Sequence, residues 1–444
     1  MDKLIILEHG NIIDVSRGDV LNDTDIVIKG GTVDAIGNAE KPENKNIQRI
    51  DCAGKYILPG LFDCHTHLAV LTGREDDVKV DILRECRIEY DASFNLELEK
   101  PVLNDFVKRG VTQVRDAGGP IAILKNLKSS IDSGEITGPD IFYAGPMLES
   151  SPLRAAGMNE KWPGWTVAVD TTRDIDRIVM ELHDGGASLA KTFGKFDHDL
   201  LRYFLMKCRD YNLPVTNDPG PTFFHDVPVD IGLELGLTCF EHAKSLWNAV
   251  LKDEYRIEHD SLDSSPPAEM QNFVSKMLET GAETIDFEKL HDLIGKIKSK
   301  GAFVCPTLQV TKFYSEKPEI FNDKEPEKYG KIFGKLYEIG RIITEELTKG
   351  KVKLMVGQDG YIPRFTFSEM QLLKSCGHSE SEIIKGATVY PAEWLGVDDK
   401  YGSIKPGGVA NLTILKNNPL SDIKNIRSVY GVIKAGRIVS MEMG

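Results

Sequence analysis

At 444 residues, the chain could hold two or three domains, or one large α/β barrel with an appendage. Apolar residues make up 41% and charged residues 27%, the balance of a globular protein with a sizeable core. A net charge of −14 argues against nucleic acid, whose phosphates need clustered Lys and Arg, and against an anionic membrane surface.

The N-terminal stretch MDKLIILEHGNIIDV has too short an apolar run and no small-residue cleavage site for a signal peptide. No run approaches the roughly 18 apolar residues of a membrane span. Seven cysteines without a CxxC pair fit buried free thiols in a reducing cytoplasm better than a disulfide framework. A cytoplasmic protein is expected.

The first fifty residues read as short strands: LIILEHGNIID, DIVIKGGTVDAIG and IQRIDCAGKYI alternate apolar and polar residues between turn signals. The last forty have the same texture in ANLTILKNNPL and SVYGVIKAGRIVS. Neither end closes a core alone, so the two are expected to meet in one small β-sandwich. That gives residues 1–56 and 401–444 to the sandwich and 57–400 to a central domain.

The central domain opens on ILPGLFDCHTHL, an apolar run broken by Pro-Gly and followed by His65 and His67. Alternation along a strand points the two histidines the same way, and two neutral imidazoles on one rigid face can hold a divalent metal such as zinc. Alone, the pair could equally line a turn. Downstream, one phrase repeats: amphipathic helix, Gly or Asn stop, short apolar strand, polar residue. VTQVRD follows Gly110, ASLAKTF follows Gly186, LPVTND follows Asn212, LTCFEH follows Gly236, AFVCPT follows Gly301 and KVKLMVGQD follows Gly350. With the opening strand and DIFYAG this makes eight strands separated by helix-length segments, which predicts parallel pairing and a (β/α)8 TIM barrel with its active site at the strand C-termini. An open doubly wound sheet is the alternative, but no GxGxxG is present. Residues 69–100 and 247–285 fit the repeat poorly and read as lids or as solvated helices.

The strand ends deliver His65 and His67, Arg115 and Asp116, Tyr143, Lys191, Asn217 and Asp218, Glu241 and His242, Thr307, and Asp359. Singly, His242 could be a core histidine, Asp359 a turn residue or helix cap, and Lys191 an exposed lysine. Together at successive strand ends they form a candidate metal centre.

The chain resembles the amidohydrolase superfamily, in the branch of metal-dependent prolidases and Xaa-amino-acid dipeptidases related to imidazolonepropionase. PGLFDCHTHL, GVTQVRDAGG, KTFG, FEHA, VGQDG, ATVYPAEWLG and GSIKPGGVANLTILKNNPLSDI carry the resemblance, in order and over nearly the whole length. It implies that His65, His67 and Asp359 bind a buried metal, that Lys191 bridges two metals as a carbamate (a carboxylated lysine), and that His242 binds the second ion. It also implies attack by metal-bound hydroxide, with Asp359 as general base and then acid. One departure stands out. Where the family has a metal-binding histidine after strand five, this chain has VTNDPGPTFFHD. Asn217, Asp218 or a folded-back His225 replaces it, or the enzyme uses one ion. His198 is expected at a helix start rather than on a metal.

The leading expectation is a hydrolase cleaving an amide bond in a small molecule such as a dipeptide or N-acyl amino acid. One or two divalent ions, zinc foremost, serve as cofactor, and Arg115, Tyr143 and Arg154 are candidates for the substrate carboxylate. The alternatives are a one-metal cyclic amidohydrolase or deaminase like imidazolonepropionase, and a metal-free scaffold. A homo-oligomer is compatible with the sequence.

Overall fold

The computed structural model describes residues 4–37, 47–69, 92–151, 153, 159–160, 163–219, 227–256, 276–360 and 362–442. Strands from both ends of the chain share one 8-stranded sheet. Tyr56–Pro59 is the seam. It pairs antiparallel with Leu412–Leu415 from the C-terminal end and parallel with Leu4–Asp14 from the N-terminal end. Alternating Ile5 and Leu7, Ile26 and Ile28, and Leu412 and Ile414 fall on one buried face, as a period of two requires. Among the described residues the terminal strands hydrogen-bond into this single sheet.

The central strands are all parallel, and all eight of the expected ones are present. Leu61–Thr66, Val111–Asp116 and Asp140–Tyr143 form a 3-stranded sheet. A 7-stranded sheet holds Ala190–Phe193, Val215–Asp218, Cys239–Glu241, Phe303–Cys305 and Lys353–Leu354 in that order, preceded by Thr166–Ala168 and Met147–Glu149. Those last two strands were not read from the sequence. The two sheets are not one closed ladder among the described residues. Single backbone bonds join them: Ser188 donates to Tyr143 at 2.9 Å on one side, and Cys64 donates to Val356 at 2.7 Å and Asp359 to His65 at 2.8 Å on the other.

Helices sit between the strands and bury apolar faces against them; Ile175, Ile178, Val179 and Leu182 of Thr172–Gly185 are an example. The stop residues work by two mechanisms. Gly186 and Gly236 end helices in the left-handed conformation that lacks a Cβ penalty. Gly350 does not: its φ is −71° and Lys351 takes the left-handed place. Gly350 is small because a Cβ there would stand 2.3 Å from the Ile294 side chain.

Candidate metal centre

The strand Leu61–Thr66 is buried along its whole length, so His65 leaves it with a fixed backbone. His65 and His67 converge with their Nε2 atoms 3.3 Å apart. Asp359, beyond the last strand, places Oδ1 3.4 Å from each. Two ligands about 2.0–2.1 Å from a tetrahedral ion lie about 3.3–3.4 Å apart, so this triangle matches the spacing zinc needs with nitrogen and oxygen donors.

The far side of each ring is anchored. His67 Nδ1 donates to the Gly118 carbonyl at 2.9 Å and Nε2 faces the site; burial disfavours the charged ring, yet Asp359 and Asp116 leave its pKa raised. His65 Nδ1 meets Glu241 Oε2 at 2.8 Å. Glu241 in turn accepts from Arg115 Nη2 at 2.5 Å and from Thr216 Oγ1 at 2.5 Å. Carboxylate–histidine pairs of this kind fix tautomer and ring orientation at metal sites. Burial pushes the His65 imidazole down to about 3, against the pull of Glu241, so it is neutral at pH 7. Burial also opposes ionisation of Glu241, but Arg115, His65 and Lys191 together outweigh it and keep the carboxylate charged.

The other half of the site is built differently. Lys191, 1% exposed, puts Nζ 3.0 Å from Asp218 Oδ2, and His242 Nε2 lies 3.1 Å from the same oxygen. His242 Nδ1 is 2.6 Å from Thr307 Oγ1 and 3.7 Å from Asp359 Oδ2. Burial of Asp218 is more than offset by Lys191, His242 and His65 together, which hold its carboxyl well below the usual range.

The arrangement sorts the candidates read from the sequence. His65, His67, Lys191, Asp218, His242 and Asp359 come together. Asn217 does not: alternation turns it to the other face, where Nδ2 donates to Thr192 Oγ1 at 3.0 Å. Arg115 is fully buried beneath the histidines, with Nε on the Cys64 carbonyl and Nη2 on Glu241, so it supports the site and offers nothing to a substrate. Tyr143 is buried outside the site, donating to the Gly185 carbonyl. His198 opens the helix His198–Asp210. Arg154 and His225 lie outside the described residues. A second grouping of His65, Glu241 and Cys305 exists, but Arg115 already holds Glu241 there.

Three groups were missed as functional residues. Glu241 was read as a strand-end residue without a role, although a Glu and an Arg on two apolar strands signal a buried pair. Trp165 packs its ring 5.5 Å from that of His67. Lys244, two residues after His242 in FEHAK, has no side-chain hydrogen bond or ion pair among the described residues. Burial lowers its pKa, while Asp359 and Asp218 act the other way. Backbone geometry also marks the site. His242, Thr307 and Asp359 follow three successive strands, with φ of 62°, 49° and 56°. Each non-glycine residue in that region costs of order 1–3 kcal/mol and persists only where its surroundings impose it.

The model of the amidohydrolase family matches residues 338–439. Over 65 residues the chain is 38% identical to a dihydroorotase of Trichlorobacter lovleyi, 14% of this chain and 15% of that protein. Over 56 residues it is 38% identical to an imidazolonepropionase of Rhizobium rhizogenes, 12% of this chain and 14% of that one. The matched stretches thus span about a seventh of these relatives. In fold, the chain is similar to a prolidase crystallised with N-methylphosphonate-L-proline, with TM-score 0.72 and 21% identity over 99% of this chain and 100% of the other. It is also similar to a Xaa-Pro dipeptidase with bound methionine in its active site, with TM-score 0.72 and 21% identity over 98% and 99%. Residues 338–439 therefore carry the amidohydrolase family's sequence, and the chain as a whole has the fold of amidohydrolases and prolidases.

Proposed function

We propose that this protein is a metal-dependent hydrolase, built on a (β/α)8 barrel, that cleaves a C–N bond in a small molecule of the dipeptide or N-acyl amino acid class. The observation that carries the reading is the 3.3–3.4 Å triangle of His65, His67 and Asp359, each histidine anchored on its far nitrogen. A divalent ion held there, zinc by the donor set, would supply a Lewis acid and an acidified water. Asp359 orients the attacking water and takes its proton. Oδ1 faces the histidines, so the proton is carried on Oδ2, from which it passes to the leaving amine. His242 lines the same space, held between Thr307 and Asp218. Lys244 is the cation placed to receive a substrate carboxylate, the task that Arg115 cannot perform.

A second reading is favoured by one observation, the contact of Lys191 with Asp218. An ammonium paired with a carboxylate occupies the place of a bridging carbamate and a strand-five histidine. That suits a one-ion enzyme opening a cyclic amide or deaminating a ring.

The test is elemental analysis of protein purified without chelator and with bicarbonate, followed by assays on dipeptides, N-acyl amino acids and cyclic amides. Two ions per chain with turnover of linear amides supports the first reading with a carboxylated Lys191. One ion with turnover of rings supports the second. A protein that takes up no ion at all returns the scaffold alternative.

A further inference from the structure

A helix that starts after Thr usually takes its N-terminal cap from that Thr hydroxyl. The helix Leu308–Glu316 does not. Thr307 makes no side-chain cap bond, and its Oγ1 lies instead 2.6 Å from His242 Nδ1. The backbone N–H groups left over belong to Leu308 and Gln309, and they donate to another helix: to Glu369 Oε1 at 3.1 Å and Oε2 at 2.7 Å. Glu369 sits within Arg364–Ser375 and is 0% exposed. Capping in trans has a local consequence. It releases the Thr307 hydroxyl, and it pins the two peptides that follow a Thr held at φ 49°, ψ 47°. A β-branched residue does not hold that conformation unaided.

We infer that Glu369 is a positioning residue for His242, acting through the helix start at Leu308–Gln309 and the hydroxyl of Thr307. It touches no reacting group. Its two oxygens replace the cap that Thr307 gives up, so that Thr307 can hold the His242 ring with Nε2 turned toward Asp218 and Lys191. The chain spends a buried carboxyl on this, where a Thr facing its own helix would have served if only the helix needed capping. The inference rests on the proposed function for its kinetic arm alone.

The test is a long-range nitrogen–proton correlation spectrum of the histidine rings in full-length, metal-stripped protein, with His242 assigned by its loss in His242→Gln. In Glu369→Gln and in Thr307→Val, the His242 nitrogen signals are expected to move the same way, and the double variant to move no further. Thr307→Ser is expected to keep the wild-type pattern. In the hydrolase assay, kcat of Glu369→Gln is expected to fall about 10–100-fold, the range for outer partners of metal-site histidines, with KM within about twofold. The double variant then falls no further than the worse single one. A Glu369→Gln protein that melts lower but leaves the His242 signals in place overturns the inference, as do losses that multiply. Should Glu369→Gln fail to fold, Glu369→Asp keeps two acceptor oxygens on a shorter arm, and the same spectrum decides: displaced His242 signals support the link, unmoved ones overturn it. Displaced signals in a protein without hydrolytic activity would keep the positioning role while removing the hydrolase reading.

Discussion

The two halves of the site face each other across Asp359, and they are assembled on opposite logics. In the His65–His67 half, each ring is fixed from behind, by Glu241 and by the Gly118 carbonyl. Both Nε2 atoms and Asp359 Oδ1 are left turned toward one point at 3.3–3.4 Å, the spacing of a tetrahedral ligand set. In the Lys191–His242 half, an ammonium and an imidazole both lean on one oxygen of Asp218, and the groups neutralise one another. Under the proposed function the first half recruits the ion, while an ion at the second requires the Lys191–Asp218 contact to be broken in a low-dielectric interior.

Asp359 belongs to the first half and, in the proposed mechanism, carries the proton, so its loss is expected to be the harshest break. Asp359→Asn keeps the shape but not the base, and kcat is expected to fall about 10²–10⁴-fold, the usual contribution of a positioned general base. Steady-state rates on whichever amide is turned over measure this; a loss under tenfold would assign the proton to another group.

Breaking the second half should cost the fold. Asp218→Asn removes the anion beside a Lys191 that is 1% exposed, and a buried charge left without its partner destabilises by about 3–5 kcal/mol. Urea unfolding of the metal-free variant at pH 7 reads the loss. A change below about 1 kcal/mol would mean that Lys191 bears no positive charge there. Asp218→His sharpens the same comparison, since it supplies the strand-five histidine and opens the pair, and more ion per chain is then expected in bicarbonate.

The difference between the halves also explains what could be read from the sequence. His65, His67 and Asp359 stand at strand ends whose apolar runs and Gly breaks are local signals, and the parallel α/β order followed from the same periodicity. The choice of Asp218 over Asn217 turns on which face of Val215–Asp218 looks inward, and that is set by Thr216 reaching Glu241, a partner on the next strand. Arg115 and Tyr143 looked like substrate groups because a strand end says where a side chain starts and not which way it turns. The left-handed backbone at His242 and Thr307 had no signal either, since neither residue type announces φ > 0. The terminal strands were legible as strands, while their merging into a single sheet depended on the pairing of Tyr56–Pro59 with Leu412–Leu415 across the whole chain.

A gentler probe of the first half is Glu241→Gln. The amide still reaches His65 but no longer answers Arg115 with a full charge, and zinc affinity is expected to fall about 10–100-fold. Competition with a chromogenic chelator measures it. Unchanged affinity would reduce Glu241 to a packing group and remove the main contrast with the second half.

The smallest effect concerns Glu369, which serves the second half from a distance. Burial pushes its carboxyl up to about 8 from the ordinary 4.5, although the N–H groups of Gln309 and Leu308 pull the other way. A raised folded pKa means that the native state keeps a proton the unfolded chain has lost. The stabilisation is fully present below about pH 4.5 and drains away as pH rises toward 8, at no more than about 1.4 kcal/mol per pH unit. Glu369→Gln has no such proton. Its stability relative to the wild type should therefore climb steadily between pH 5 and 8, whatever the offset at either end. Parallel denaturation curves across that interval would place the Glu369 carboxylate in its ionised form throughout. The helix start at Leu308 would then be capped by a charge at every pH in that interval.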